Sequence, residues 1–111
     1  MEKRLGKIKD VRFGLGSYQD AMIGLHVTLG GGSWGVMDSK CTWDPQMVEC
    51  TKHTKWTEEE RSKDLSDIMR HISKLLSEAK VNSIEKLKNV PVEVTFDGNM
   101  LVEWRILTEV L

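Results

Sequence analysis

Apolar residues recur at helical spacing between positions 65 and 79, and this pattern constrains the fold more than any other feature of the sequence. They fall at i, i+3, i+4, i+7, i+10, i+11 and i+14, and they are Leu65, Ile68, Met69, Ile72, Leu75, Leu76 and Ala79. Such spacing places all of them on one stripe of a helix. It predicts an amphipathic helix over residues 58–79 that buries this stripe against the rest of the protein.

The start of this helix carries its own signals. Thr57 and Glu60 form a capping-box pattern, in which each side chain bonds the backbone N–H of the other residue. Three glutamates at positions 58–60 also suit the positive end of the helix dipole. After the helix, residues 84–89 predict one or two further helical turns that end near Asn89.

Two segments before the helix alternate between apolar and polar residues with the period of a β-strand. Residues 7–15 place Lys9, Val11, Phe13 and Leu15 on one face, and residues 18–29 alternate in the same way. The glycines at 30–32 predict a turn, and residues 33–38 predict a third, shorter strand. Residues 39–55 have no sustained period and contain Pro45, so they predict a loop with, at most, a ragged strand.

The C-terminal residues predict a β-hairpin with strands at 91–96 and 100–108. A two-residue turn at Asp97 and Gly98 would place polar residues opposite apolar ones. A three-residue loop, 97–99, makes every pair apolar: Phe96 with Met100, Val94 with Val102, Val92 with Trp104 and Val90 with Ile106. Since Asn99 tolerates the left-handed conformation that this loop needs, the second register is favoured.

Together these elements predict an α+β fold. We expect an antiparallel sheet of about five strands, with one long helix packed on a face and a closing C-terminal β-hairpin. The length of 111 residues predicts a single domain, 1–111.

The charge balance limits the classes of partner. Sixteen basic and 17 acidic residues leave a formal charge of -1, whereas binding to duplex nucleic acid favours a basic surface. No apolar run is long enough to cross a membrane, and the first residues lack the apolar core of a signal peptide. We therefore expect no duplex nucleic acid and no membrane among the partners, and free thiols at Cys41 and Cys50.

Catalytic motifs are missing from the sequence. His26, His53 and His71 are present, but the sequence has no GxSxG elbow and no cysteine-protease signature. The acidic residues are scattered without forming a pair. We therefore predict no catalytic residue, no enzymatic activity and no cofactor.

A metal site is a weaker alternative. Cys41, Cys50 and His53 lie within 13 residues, and Asp44 or His26 could complete four ligands. However, the spacing lacks the paired cysteines of a typical zinc knuckle, so we predict no metal site.

The glycines around the first turn allow two interpretations. Gly14 and Gly16 lack the third glycine and the following helix of a dinucleotide fingerprint. They either supply unusual backbone angles to a turn, which is the favoured interpretation, or leave room for a ligand to approach the backbone.

Rings and polar groups near these glycines predict a binding site. Tyr18, Trp34 and Trp43 could stack on a planar ligand. Arg12, Gln19 and Asp20 could supply phosphate, amide and ribose contacts. With Gly14 and Gly16, these residues form the predicted ligand site.

Three segments of the sequence resemble those of a known family. VRFGLGSYQDAMIGLHVTLG, the following SWGV and the C-terminal PVEVTFDGNMLVEWRILTEVL are similar to small proteins encoded by tailed phages and prophages. The resemblance covers about half of the chain and brings with it no established activity. It implies an accessory protein that acts in the host cytoplasm by binding a component of the host.

These observations predict an anti-defence binding protein. The most concrete form is a protein that sequesters a small nucleotide-like immune signal. The alternatives are an inhibitor that binds a host defence protein, and a small hydrolase of signalling nucleotides with His26 or His53 as base. Open strand edges also predict a homo-dimer or higher oligomer.

Overall fold

The fold is one five-stranded antiparallel sheet with a long helix on one face. The computed structural model describes residues 1–47 and 57–111, except the side chain of Tyr18. The strands are β1 (Glu2–Gly16), β2 (Met22–Gly30), β3 (Gly35–Trp43), β4 (Pro91–Asp97) and β5 (Met100–Ile106), and the helix is α1 (Glu58–Ala79). The described residues also contain three short 3-10 helices, at Tyr18–Asp20, Ile84–Leu87 and Thr108–Val110. The predicted α+β architecture is confirmed.

The long strand β1 forms the centre of the sheet, whose order is β3-β2-β1-β4-β5. Its first half, from Glu2 to Lys7, pairs with β4, and its second half, from Lys7 to Gly16, pairs with β2. The register shifts between Ile8 and Asp10, which places a β-bulge at Lys9. Such a bulge bends a strand and increases its twist.

The helix has the predicted bounds, and its predicted start is confirmed. The backbone N–H of Glu60 donates to Thr57 Oγ1 at 3.2 Å. At the other end, Lys80 adopts the left-handed conformation and its N–H bonds carbonyls of the last turn.

The buried face of α1 is narrower than the predicted stripe. Ile68, Leu75 and Ala79 are buried, and Ile72 and Leu76 are half-buried against the core. Met69 is 60% exposed, so its predicted place in the core is wrong. Because Met69 lies about 100° around the helix from Ile68, it points past the sheet.

Two contacts fix the start of α1 on β3. Thr42 Oγ1 donates a hydrogen bond of 3.1 Å to Asp64 Oδ2. Arg61 Nε donates to the carbonyl oxygen of Trp43 at 3.0 Å, and the Arg61 guanidinium lies over the Trp43 ring. The core beneath the helix is formed by side chains from β1, β2, β4 and β5, chiefly Ile8, Leu25, Leu29, Val92, Val94 and Ile106.

The predicted boundaries of all three strands before the helix are wrong. β1 begins at Glu2 rather than at residue 7, because residues 2–7 pair with β4. β3 runs to Trp43 rather than ending at Asp38, because it pairs with β2 along its whole length. Residues 18–20 form a 3-10 turn instead of the start of β2, since Gln19 and Asp20 have positive φ values of 55° and 52°. Neither conformation is compatible with a strand.

The predicted hairpin register is also wrong. Asp97 pairs with Met100 across a two-residue turn, and Phe96 pairs with Leu101. The register then shifts, so that Val92 pairs with Ile106. The extra residue is Val102; the bulge turns Leu101 toward the core and leaves Met100 and Val102 exposed, at 75% and 50%.

No helix in residues 1–47 and 57–111 has the length and apolar composition needed to span a membrane.

Candidate functional site

His26 lies at the centre of the open face of the sheet, opposite to the helix. It is 4% exposed and pairs across strands with Arg12 on one side and Ser39 on the other. Its Nε2 lies 3.0 Å from the carbonyl oxygen of Gly14, and its Nδ1 lies 2.8 Å from Ser39 Oγ. Because a carbonyl only accepts, Nε2 carries a proton, and a neutral ring accepts from the Ser39 hydroxyl at Nδ1.

The glycines of the predicted site make room for the protein's own side chains. A Cβ added at Gly16 would lie 2.8 Å from His26 Nε2 and 2.9 Å from a terminal nitrogen of Arg12. The same Arg12 group donates to the carbonyl of Leu15. This packing agrees with the structural interpretation of Gly14 and Gly16, in which they serve the turn and its neighbours.

The turn after β1 holds three consecutive predicted ligand contacts. Its backbone is unusual, since Ser17, Gln19 and Asp20 all have positive φ, and the N–H of Asp20 bonds the Ser17 carbonyl at 3.1 Å. Gln19 and Asp20 are exposed. The side chain of Tyr18 lies outside the described part of the chain.

The two described tryptophans of the predicted site pack into the protein. Trp43 is 3% exposed, so the exposed ring face that we expected there is missing. Trp34 is half-buried and meets the Phe96 ring edge to face, with 5.5 Å between centroids. Its ring also lies against Gly6 and Gly31.

The predicted site residues therefore fall into separate regions. Arg12, Gly14, Gly16, Gln19 and Asp20 lie toward the far end of the β1–β2 ladder. Trp34 follows the turn at the other end, roughly 25–30 Å away at the rise of an extended strand. The structure brings the first group together but does not join it to Trp34.

A shallow depression of about 350 Å³ lies beside that turn on the open face. We call it the glycine–lysine depression, and its lining is Leu5, Gly6, Lys7, Lys9, Gly30, Gly31 and Gly32. Lys7 pairs with Gly30 across the strands, and the stem of Lys9 lies against Gly30. No described residue forms an ion pair with either lysine.

The backbone of the turn is partly free. The N–H of Gly31 donates to the Trp34 carbonyl at 3.0 Å. The N–H groups of Gly32 and Ser33 make no hydrogen bond within the described residues, and both residues are exposed. Such groups are available to an anion.

A larger cavity of about 420 Å³ lies between α1 and the two edge strands of the sheet. We call it the edge groove. Residues 38–40 of β3 form one wall, residues 103–105 of β5 form the other, and His71, Lys74, Leu75 and Glu78 come from α1. Trp104 crosses it, since Trp104 Nε1 donates a 2.7 Å hydrogen bond to Asp38 Oδ2.

Charges of both signs line the edge groove. Burial lowers the pKa of His71, and the positive charge of Lys40 lowers it further. The His71 ring meets the Trp104 ring edge to face at 6.5 Å. Lys40 and Lys74 have no ion-pair partner in the described part of the chain, and neither have the carboxylates of Glu78 and Glu103.

The structure holds no described cluster suited to a metal. Within residues 1–47 and 57–111, no three or more histidine, cysteine or acidic side chains converge on one point. Burial raises the pKa of the Cys41 thiol, which disfavours the thiolate that binds zinc. Cys50 and His53 lie outside the described residues, so the expected absence of a metal site stays a prediction.

Sequence reasoning missed the residues that line both cavities. Lys7 and Lys9 meet the glycine turn only through the pairing of β1 with β2. Asp38 and Trp104 are 66 positions apart. The alternation of apolar and polar residues within each strand could not predict that these lysines contact the glycine turn, or that Asp38 contacts Trp104.

Comparison of the chain with protein-family models, with curated proteins and with solved structures gives no match.

Proposed function

We propose that this protein is a phage accessory protein that antagonises host defence by binding, and that it sequesters a small nucleotide-like signal. The glycine–lysine depression would hold the phosphate of this ligand. One observation carries the proposal: Lys7 and Lys9, both without an acidic partner among the described residues, flank a turn with free backbone N–H groups.

Charge selects this depression over the edge groove. The depression is lined by two lysines and no carboxylate, whereas acidic side chains face the edge groove from β3, α1 and β5. An anion gains most where cations are not already offset by neighbouring acids. Glycine at positions 30–32 also lets a phosphate oxygen reach the backbone without a side chain in its way.

The biological setting comes from the resemblance to proteins of tailed phages and prophages. A protein without a recognised catalytic group that is made during infection acts most simply by occupying a host molecule. Host cytoplasm is the corresponding location, and a nucleotide-like signal is a ligand with the charge that Lys7 and Lys9 require.

The test is native mass spectrometry of the protein purified from infected cells, followed by calorimetric titration with the released molecule. A double variant, Lys7→Glu with Lys9→Glu, should lose at least tenfold in affinity. The matched control is Lys63→Glu with Lys88→Glu, which makes the same charge change at exposed lysines that line neither the depression nor the edge groove. Equal loss in both double variants would contradict the proposed site.

The state of the released molecule separates binding from catalysis. The protein is incubated with candidate nucleotides and heat-denatured, and the supernatant is examined. An intact nucleotide supports sequestration. A converted nucleotide would favour the hydrolase alternative, in which His26 would have to give up its bonds to Gly14 and Ser39.

Inhibition of a host defence protein is the second candidate. It is supported by Met100 and Val102, two exposed apolar side chains at the tip of the β4–β5 hairpin. A purified complex with a host protein that Met100→Lys with Val102→Lys abolishes would favour this candidate. The same side chains support the proposed homo-dimer or higher oligomer, which light scattering tests; a monomeric mass at high concentration would contradict it.

A further inference from the structure

The two edges of the sheet run in the same direction. Each strand is antiparallel to its neighbour in the order β3-β2-β1-β4-β5, so β3 and β5 are parallel to each other. A single extra strand of the opposite direction would be antiparallel to both edges. One segment could thus continue the hydrogen-bond pattern of the sheet on each side at once.

The edge groove lies where such a strand would enter. Three consecutive residues of β3 and three of β5 form its facing walls, so both edges of the sheet border the same space. An inserted strand needs about 4.8 Å to each neighbour, or roughly 10 Å between the two edges. The side chains of Trp104 and Asp38, joined end to end by their hydrogen bond, bridge a gap of that order.

The side chains around this space suit a peptide better than a small anion. Lys40 on β3 and Lys74 on α1 have no acidic partner in the described residues, and the carboxylates of Glu78 and Glu103 are likewise unpaired there. A segment that carries both an acidic and a basic residue could pair with each. Leu75 of α1 also lines the edge groove and offers an apolar contact to a small side chain of the peptide.

We propose that the edge groove binds an extended peptide segment of a partner protein, which inserts antiparallel to both β3 and β5 and closes the sheet around α1. Backbone hydrogen bonds to the two edges supply the affinity, as in other cases of strand addition. The side chains of Lys40, Lys74, Glu78 and Glu103 select a segment of mixed charge. The Trp104–Asp38 bridge opens as the segment enters.

The test uses synthetic seven-residue peptides of alternating valine and threonine in which one position bears glutamate and another lysine. Hydrogen–deuterium exchange should show protection at residues 38–40 and 103–105 together. A matched peptide with N-methyl groups on alternate amides keeps the side chains but loses backbone donors. It should bind at least tenfold more weakly, because strand addition depends on those donors.

Protein variants separate the edge groove from the rest of the surface. Lys40→Glu with Lys74→Glu should weaken binding of the mixed-charge peptide about tenfold, whereas Lys7→Glu with Lys9→Glu should leave it unchanged. Because the two double variants change different cavities, failure of the peptide proposal can be distinguished from failure of the proposed nucleotide site.

Four results would overturn the proposal. The first is that no peptide of the set protects either edge, and the second is that only one edge is protected. The third is that both edges become protected without peptide as protein concentration rises, since the occupant would then be a second copy of the chain. Equal binding of the methylated peptide would also reject strand insertion.

Discussion

Trp104 and Asp38 join the two edge strands of one sheet through a hydrogen bond of 2.7 Å between the indole nitrogen and a carboxylate oxygen. The edges lie at opposite ends of the strand order, and the contact crosses the space between them. It shows how strongly the sheet curves around α1.

The first prediction concerns this bond. Trp104→Phe keeps an aromatic ring but removes the donor to a charged acceptor, so the free energy of unfolding should fall by about 1–3 kcal/mol. Trp34→Phe is the control, because no described residue accepts a hydrogen bond from its indole nitrogen. Urea unfolding measures both variants, and equal losses would mean that ring size alone matters.

Neighbouring helix residues give the second prediction. Ile68 is 2% exposed and Met69 is 60% exposed. Ile68→Ala should lower the free energy of unfolding by about 2–5 kcal/mol, because it leaves a cavity in the core. Met69→Ala should change it by no more than about 0.5 kcal/mol. A large loss at Met69 in thermal or urea unfolding would place the helix on a different face.

The helix cap gives the third prediction. Thr57→Ala removes the acceptor for the N–H of Glu60 and should cost about 1 kcal/mol. Thr57→Ser retains the hydroxyl and should stay close to the original protein. Circular dichroism during urea unfolding distinguishes them, and the cap is absent in solution if serine and alanine behave alike.

The fourth prediction compares alanine substitutions at two glycines. A Cβ at Gly24 would overlap the Lys40 carbonyl and lie 2.6 Å from Cys41 Cα, so Gly24→Ala should prevent β2 and β3 from pairing normally. Gly32 has open space around the same position, and Gly32→Ala should fold with unchanged or slightly raised stability. Expression yield and melting temperature are the measurements; a normal melting temperature for Gly24→Ala would contradict this strand register.

The fifth prediction is the titration of His71. NMR should find its pKa below the ordinary histidine value, because burial and Lys40 disfavour the charged ring. Lys40→Gln should raise that pKa. As pH falls, the unfolded chain takes up the proton first, so stability falls through the ordinary histidine range and levels off below the lowered pKa. A titration at or above the ordinary value would contradict the burial of this ring.

Local sequence signals predicted the helix well, but they did not predict the register in which the strands pair. The Thr57–Glu60 cap and the spacing of Ile68 and Leu75 depend on residues within a few turns, and the sequence contains those directly. The hairpin register depends on a bulge at Val102 that turns Leu101 inward. Alternation alone cannot show a bulge, because one inserted residue reverses every later face.

The candidate sites were predicted less well for the same reason. Arg12, Gly14 and Gly16 do lie together, since they are close in sequence. Trp43 was expected at the surface, and it is buried under Arg61, a residue 18 positions away. Lys7 and Lys9 indicate a candidate anion site only after the pairing of β1 with β2 has placed Gly30 beside them.

The division of β1 between two partners has a consequence for the order of events on the ribosome. Residues 7–16 can pair with β2 soon after both have been synthesised. Residues 2–7 must wait for Pro91–Asp97, so this segment is synthesised long before its partner strand and is among the last to find its place. During most of translation its unpaired amides and carbonyls are exposed, and any delay before β4 emerges lengthens the time in which nascent chains can join one another there.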